Sequence, residues 1–514
     1  MLSIRLVGGP VEGDALALPV RPAGESNPAD ADLYGPTGAG LPAELTAEAA
    51  ALLPHLDHPG DAGTVHRSIR PSRTPTRLLL VGVGAGDEAG WRTAGAALAR
   101  AATRESSITF ALPAAAGPEA VRGLAEGLWL ASYRFRLPEE ERRGTAAGDG
   151  GAGDGADPGD GGAGDGATLA EVVLAVSDPE PYRAVLAAAR VVAESTCFAR
   201  DLTNMPSSVK SPAWFAEQVA AAAAGRPGLT LDVRGPDRLV AEGFGGILAV
   251  GGGSVREPRL VELSWRPAEA SRHVVLVGKG ITFDTGGIAI KPREGMKLMR
   301  KDMGGAAAVV AATLGAAALN LPVRVTALAP LAENMLSGSA YRPGDVIRHY
   351  GGITSESTNT DAEGRLVVAD AMAYAVERLA PDVLVDLATL TGANAVALGK
   401  RTAALYSEND ELAAAVLGAA DAAGERAWRM PLPADYAEYL GSEIADVFSA
   451  PDQGAGSVVA ALFLREFTGK LRDRWVHVDM SAPSWADSHD GELVKGATGW
   501  GVRTLLRWLA DHTG

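Results

Sequence analysis

The sequence predicts an α/β protein of two domains: a smaller N-terminal α/β domain, and a larger C-terminal α/β domain with a central mixed sheet flanked by helices. Three observations carry this. The chain has 514 residues, more than one hydrophobic core ordinarily serves. Short β-type runs alternate with helix-period runs along most of its length, the order expected of a sheet covered by helices. Residues 144–167 are Gly, Ala and Asp with one Thr and one Pro, a composition that cannot form a core.

In order, Ser3–Val7, Ala15–Val20 and Arg77–Val83 read as strands, followed by a helix near Trp91–Thr103 and a strand near Ile108–Leu112. The run Gly82-Val83-Gly84-Ala85-Gly86 is spaced G-x-G-x-G, not G-x-G-x-x-G, so a tight strand-to-helix turn accounts for it better than a dinucleotide site. Segment 144–167 reads as a disordered acidic loop; it lacks the inward apolar position of a calcium-binding repeat. Strand Glu171–Val176 follows it, so the loop interrupts the first domain, set at 1–178. A helical pattern from Glu180 to about Asp201, with Tyr182, Val185, Leu186, Val191 and Val192 on its apolar side, opens the second domain, 179–514. Cys197 lies in it and reads as a small core residue, with no His nearby in sequence. Further strands are expected at Leu229–Val233, His273–Val277, Val323–Leu328, Val383–Leu387 and Trp475–Val478. Helices are expected at Gly304–Leu319, Leu366–Leu379 and Ser457–Phe467.

Composition excludes several classes. Hydrophobic content is 47%, charged content 21% and net charge −16, which argues against nucleic acid and anionic membrane as partners. With a single cysteine no intrachain disulfide is possible, which fits a reducing compartment. Met1–Pro10 show no signal peptide and no run is long and apolar enough to span a bilayer; a soluble, cytoplasmic protein is expected. A phosphate loop, an H-E-x-x-H motif, a Cys/His zinc cluster and a nucleophile elbow are all missing.

What remains is carboxylate chemistry. In Asn359-Thr360-Asp361-Ala362-Glu363-Gly364-Arg365-Leu366 two acids stand two apart; in an extended segment both would face one side. Alone this reads as a surface turn. Here an apolar helical run follows at once, and Arg365 offers a bidentate grip for a planar anion. Strand His273–Val277 runs into Gly278-Lys279-Gly280-Ile281-Thr282-Phe283-Asp284-Thr285-Gly286-Gly287, with Lys291 and Asp302 beyond. Ala388-Thr389-Leu390-Thr391-Gly392 ends another strand, where ligands gather in open α/β sheets. Four acids (Asp284, Asp302, Asp361, Glu363) brought together would repel by roughly 1–4 kcal/mol per pair at about 4 Å. Two divalent cations would relieve this and activate a water between them.

These segments resemble the leucyl aminopeptidase (cytosol aminopeptidase) family of two-metal peptidases, whose signature octapeptide N-T-D-A-E-G-R-L occurs without mismatch at 359–366. The likeness extends through V-G-K-G-I-T-F-D-T-G-G, Lys291, Asp302, A-T-L-T-G-A at 388–393 and G-A-T-G-W-G-V-R-T-L near the C-terminus, from about Asp201 onward. It implies a metal-dependent aminopeptidase that favours N-terminal Leu and other apolar residues, with a hydroxide bridging two Mn²⁺ or Zn²⁺ ions as nucleophile. Asp284, Asp361 and Glu363 would hold one ion, and Lys279, Asp284, Asp302 and Glu363 the other. Lys291 would stabilise the oxyanion and Arg365 would hold a bicarbonate as general base. Thr389 and Leu390 would contact the substrate backbone, and Met299 and Asn359 the N-terminal side-chain pocket. Peptides with a free N-terminus would be the partners of a homohexamer. Two stretches depart from the family pattern: Met480-Ser481-Ala482-Pro483, where Ile-Ala-Gly is usual, and Ser449–Ser457. The alternatives are a non-catalytic regulatory or DNA-binding homologue, disfavoured by the intact ligand set, and a two-metal phosphoesterase, which would not need a free amino terminus.

Overall fold

A computed structural model describes residues 1–9, 13–22, 31–35, 40–102, 104–137 and 169–511. The predicted acidic loop 144–167 lies outside them. The chain forms two compact units, Met1–Ala193 with Ser488–Val494, and Glu194–Asp487 with Lys495–Gly514.

The first unit is built on β1 (Ser3–Gly8), β2 (Ala15–Pro22), β3 (Ala31–Leu33), β4 (Val65–Ile69), β5 (Arg77–Gly82), β6 (Ser107–Ala111) and β7 (Glu171–Val176). Among the described residues these make a seven-stranded sheet ordered β1-β7-β6-β2-β5-β4, with β3 on β2. Its central pairs are parallel; β4 and β3 join antiparallel. The glycine run after β5 is a turn, with positive φ at Gly84 and Gly86. It delivers the chain to α2 (Glu88–Ala101), where Asp87 accepts from Gly90 N at 2.7 Å as N-cap. Helix α1 is Ala43–Leu52, and α3 (Pro118–Ala131) packs on α2. Predicted helix 180–201 is a short 3₁₀ turn leading into α4 (Arg183–Asn204).

The second unit holds β8 (Leu229–Arg234), β9 (Arg259–Trp265), β10 (His273–Gly278), β11 (Gly280–Asp284), β12 (Arg324–Asn334), β13 (Val383–Ala388), β14 (Ala403–Tyr406), β15 (Ala427–Arg429) and β16 (Trp475–Asp479). Among the described residues they form a nine-stranded mixed sheet ordered β15-β14-β16-β13-β10-β12-β9-β8, with β11 on β12. The centre, β16-β13-β10-β12, is parallel. Its strands are buried throughout, as a sheet covered on both faces requires. Helix α5 (Gly304–Ala318) packs on β10, β12 and β13 and is buried through Ala316, which explains its Ala/Gly composition. Helix α6 (Glu363–Tyr374) is buried along its whole length and meets α7 (Gly456–Arg465). No described helix is long and apolar enough to cross a membrane.

Candidate active site

The carboxyl ends of the parallel strands converge. Lys279 follows β10 directly, Asp284 ends β11, Asn334 ends β12, Thr389 follows β13 and Asp479 ends β16. Asp302 lies two residues before α5, and Glu363 is the first residue of α6. This corrects the reading of Asp361 and Glu363 as neighbours on one side of an extended segment, with a helix beginning at Leu366. The helix begins three residues earlier, and Asp361 sits in the turn before it. The Asn359 side chain accepts from Asp361 N at 2.9 Å and its carbonyl from Ala362 N at 3.0 Å. A turn and a helix start, not β-alternation, aim the two carboxylates together.

Lys279 is 3% exposed, and its Nζ lies 2.9 Å from both Asp302 Oδ2 and Glu363 Oε1 while donating to the Thr389 carbonyl at 3.0 Å. A Cβ on Gly364 would stand 2.2 Å from Lys279 Cε, so only glycine admits the lysine there. Lys291 Nζ is 2.7 Å from Asp284 Oδ2 and also pairs with Asp361 Oδ1. Asp284 Oδ1 is fixed by Gly286 N and Asn334 Nδ2, each at 2.8 Å. Asp302 Oδ1 accepts from Thr389 Oγ1 at 2.7 Å.

Four carboxylates face two ammonium groups, so the ionised cluster holds two more negative than positive charges. Burial raises the Asp284 carboxyl to about 7, with the Glu363 charge adding and Lys291 opposing. Burial also raises Asp302 and Glu363. It works against the charge on Lys279 and Lys291, but the surrounding carboxylates outweigh it and lift both. Asp302 Oδ2, Asp361 Oδ1 and Glu363 Oε1 are buried with only the lysine ammonium groups beside them, and Glu363 Oε2 is buried without a partner. One oxygen each of Asp284, Asp361 and Glu363 lie within 4.8 Å of one another. Hard oxygen donors, excess negative charge and an unfilled acceptor fit divalent cations.

A cleft of about 500 Å³ opens over this cluster, and every predicted site residue except Asn359 and Arg365 lines it, Met299 and Leu390 included. Asn359 and Arg365 line an adjoining hollow of about 310 Å³ that shares Asp361, Glu363 and Leu390. Met299 and Asn359, expected at one pocket, thus line different ones. Arg365 is buried, donates to the Ser449 carbonyl at 2.7 Å and leaves Nε without a partner; burial draws its pKa down to about 10. The two departing stretches fall on the two openings: Ser481 and Ala482 line the cleft, Ala450 to Asp452 the hollow.

The catalytic-domain model described as "Cytosol aminopeptidase family" matches residues 197–506, and the N-terminal-domain model of the same family matches 27–137. The chain belongs to the cytosol aminopeptidase family. A probable cytosol aminopeptidase of Micrococcus luteus is 44% identical over 485 residues, 91% of each chain. One of Streptomyces coelicolor is 42% identical over 474 residues, 89% of each. Among solved structures, the bottromycin maturation enzyme BotP in complex with Mn is similar with a TM-score of 0.79 and 35% identity, over 98% of this chain and all of that one. Membership makes the chain an aminopeptidase of the hydrolase class and a metal-dependent one.

Sequence reasoning missed three residues that shape the site. Asn334 ties Asp284 to the Thr360 carbonyl (3.0 Å), but it lies 50 residues from Asp284 and carries no local signal. Asp479, buried, accepts from Leu390 N, Thr391 N, Thr391 Oγ1, Asn394 Nδ2 and Ser481 N, so one carboxylate fixes the loop that carries Thr389 and Leu390. Lys301 lines the cleft beside Asp302, and no motif in the sequence singles it out. Cys197 is partly buried in α4, and burial raises its thiol to about 11, in keeping with an inert side chain.

Proposed function

We propose that this aminopeptidase holds two divalent cations, Mn²⁺ or Zn²⁺, on Lys279, Asp284, Asp302, Asp361 and Glu363 and releases residues one at a time from free peptide N-termini. The observation that carries this is the buried cluster of four carboxylates against two lysines, with Glu363 at its centre, its Oε1 on Lys279 and its Oε2 without a partner. When bound, such cations supply an anchor for a free α-amine and an acidified water.

The chain's own residues do the rest. Asn334 and the Gly286 amide hold Asp284 in one orientation. Lys291, once Asp284 and Asp361 are coordinated, gives up their charge and donates to the oxyanion that develops on the scissile carbonyl. Arg365, buried with a free Nε in the adjoining hollow, holds a small planar anion such as bicarbonate that takes the proton from the attacking water. Thr389 and Leu390 align the peptide backbone on the loop that Asp479 fixes. Met299 and Leu298 give the cleft an apolar, adaptable wall suited to Leu and similar residues. A cytoplasmic homohexamer is part of the same reading. It is supported by the resemblance to the family, not by any contact between chains.

Chelator-stripped protein is expected to be inactive and to recover on titration with Mn²⁺, with metal analysis reaching two ions per chain at full activity. Full activity with one ion, or with none, would refute the two-cation reading.

A further inference from the structure

Most charges in the cleft are paired. Lys279 and Lys291 sit on the four acids, and Lys400 holds Asp487 at 2.8 Å. Lys301 differs. Its side chain is partly buried, it lines the cleft, and its Nζ donates to the Ser481 carbonyl at 2.7 Å. Among the described residues it has no carboxylate within ion-pair distance. The acids near it are committed elsewhere: Asp302 to Lys279 and Thr389, Asp479 to its five donors, Asp487 to Lys400. The preceding residue repeats the pattern. The Arg300 guanidinium lies 5.0 Å over the ring of Trp485, itself a cleft residue, and its Nε is buried without a hydrogen bond.

A partly buried ammonium that has lost water without gaining a counter-charge is costly to keep, and a methionine of similar length would fill the space at less cost. An ammonium has three donors, and the Ser481 carbonyl takes one. That carbonyl belongs to Met480–Pro483, where this chain leaves the family pattern. The unusual wall and the unpaired lysine therefore form one feature.

We propose that Lys301 is a specificity-determining residue whose ammonium receives a substrate carboxylate inside the cleft. The carboxylate comes from one of two sources: an N-terminal Asp or Glu side chain, or the terminal carboxylate of a dipeptide whose first residue is being released. This rests on the aminopeptidase reading and refines it. Beside the apolar wall of Met299 and Leu298, the cleft carries a cationic contact that an apolar pocket would lack.

The test uses the Mn²⁺-loaded full chain as wild type, Lys301→Met and Lys301→Arg on two pairs of substrates. Glutamyl against leucyl p-nitroanilide probes the side chain; Leu-Gly against Leu-glycinamide probes the terminal carboxylate. Within each pair the ratio of kcat/KM is read, which is independent of the fraction of enzyme that is active. One of the two ratios is expected to fall by about ten- to a hundredfold in Lys301→Met, the worth of a hydrogen bond to a charged group, and to recover largely in Lys301→Arg. Whichever ratio moves identifies the source. Cleavage with both ratios unchanged overturns the role of Lys301 and leaves the aminopeptidase standing. Failure of the wild type on all four substrates overturns the aminopeptidase reading and this inference with it.

Discussion

Both units bury charge, and the cleft of the second treats it in the opposite way to the helices and sheet edge of the first. In the first, Arg92 is enclosed between Glu88 at 2.8 Å and Glu126 at 3.1 Å, and Glu105 lies between Arg67 and Arg77. Each buried ion there faces opposite charge through directed hydrogen bonds. In the second, four carboxylates share two lysines, and the buried Glu363 Oε2 is left without a partner. Compensated burial holds a fold together; uncompensated burial waits for something to bind. The first unit could trade its pairs for well-packed apolar residues at little cost, whereas the second cannot lose its excess charge and keep its chemistry.

The sharpest way to break this contrast is Glu363→Ala. It removes the acid that touches Lys279 and belongs with Asp284 and Asp361, so kcat/KM should drop by more than about a hundredfold, beyond the loss typical of residues that only orient ligands. Steady-state kinetics with metal analysis checks it; near-normal turnover with a full metal complement would contradict it. Next in size, Lys291→Ala should lower kcat by about a hundred- to a thousandfold, the worth of one oxyanion donor, while leaving metal content intact. Loss of metal instead would make Lys291 a ligand.

The third prediction concerns pH in the metal-free protein. Folded Asp284 keeps its proton up to about 7, against 3.8 for an ordinary aspartate, so over that window the folded state binds more protons than the unfolded. Asp302 and Glu363, also raised by burial, act in the same direction. Stability from this site is therefore present at acid pH and lost as pH rises toward 7. Relative to Asp284→Asn, the melting temperature of stripped wild type should fall across that window, and Mn²⁺ should reverse the fall. An equal pH slope in both proteins would show that the cluster is not strained. The smallest effect belongs to the compensated side. Glu126→Ala removes one of the carboxylates paired with Arg92 and should cost about 1–3 kcal/mol of stability with kcat/KM unchanged, by denaturant melts and kinetics side by side. A large kinetic loss would mean that the first unit contributes to catalysis.

Much of this contrast was legible in the sequence. The strands that carry the site are short runs rich in Val and Leu, and β10, β13 and β16 lie within a residue of their expected ends. Lys279 follows β10 and Thr389 follows β13 directly, so there pattern and chemistry coincide. Elsewhere the signals conflict. Strand β12 runs on to Asn334, past Pro330, a residue that reads as a breaker but pairs with Leu260 of antiparallel β9. Helix α3 has no counterpart among the expected elements, although its residues carry a helical apolar pattern and Pro118 stands at its first position as a start signal. Asn334, Asp479 and Lys301 act through contacts between segments far apart in the chain, which no local spacing encodes.

Hydrolysis of leucine p-nitroanilide beside its N-acetylated form, after chelation and again after Mn²⁺ or Zn²⁺ is restored, tests the central claim most directly. The account predicts metal-dependent cleavage of the free-amine compound alone, because the amine is the anchor. Cleavage of the acetylated compound at a similar rate, or activity that survives chelation, would contradict it.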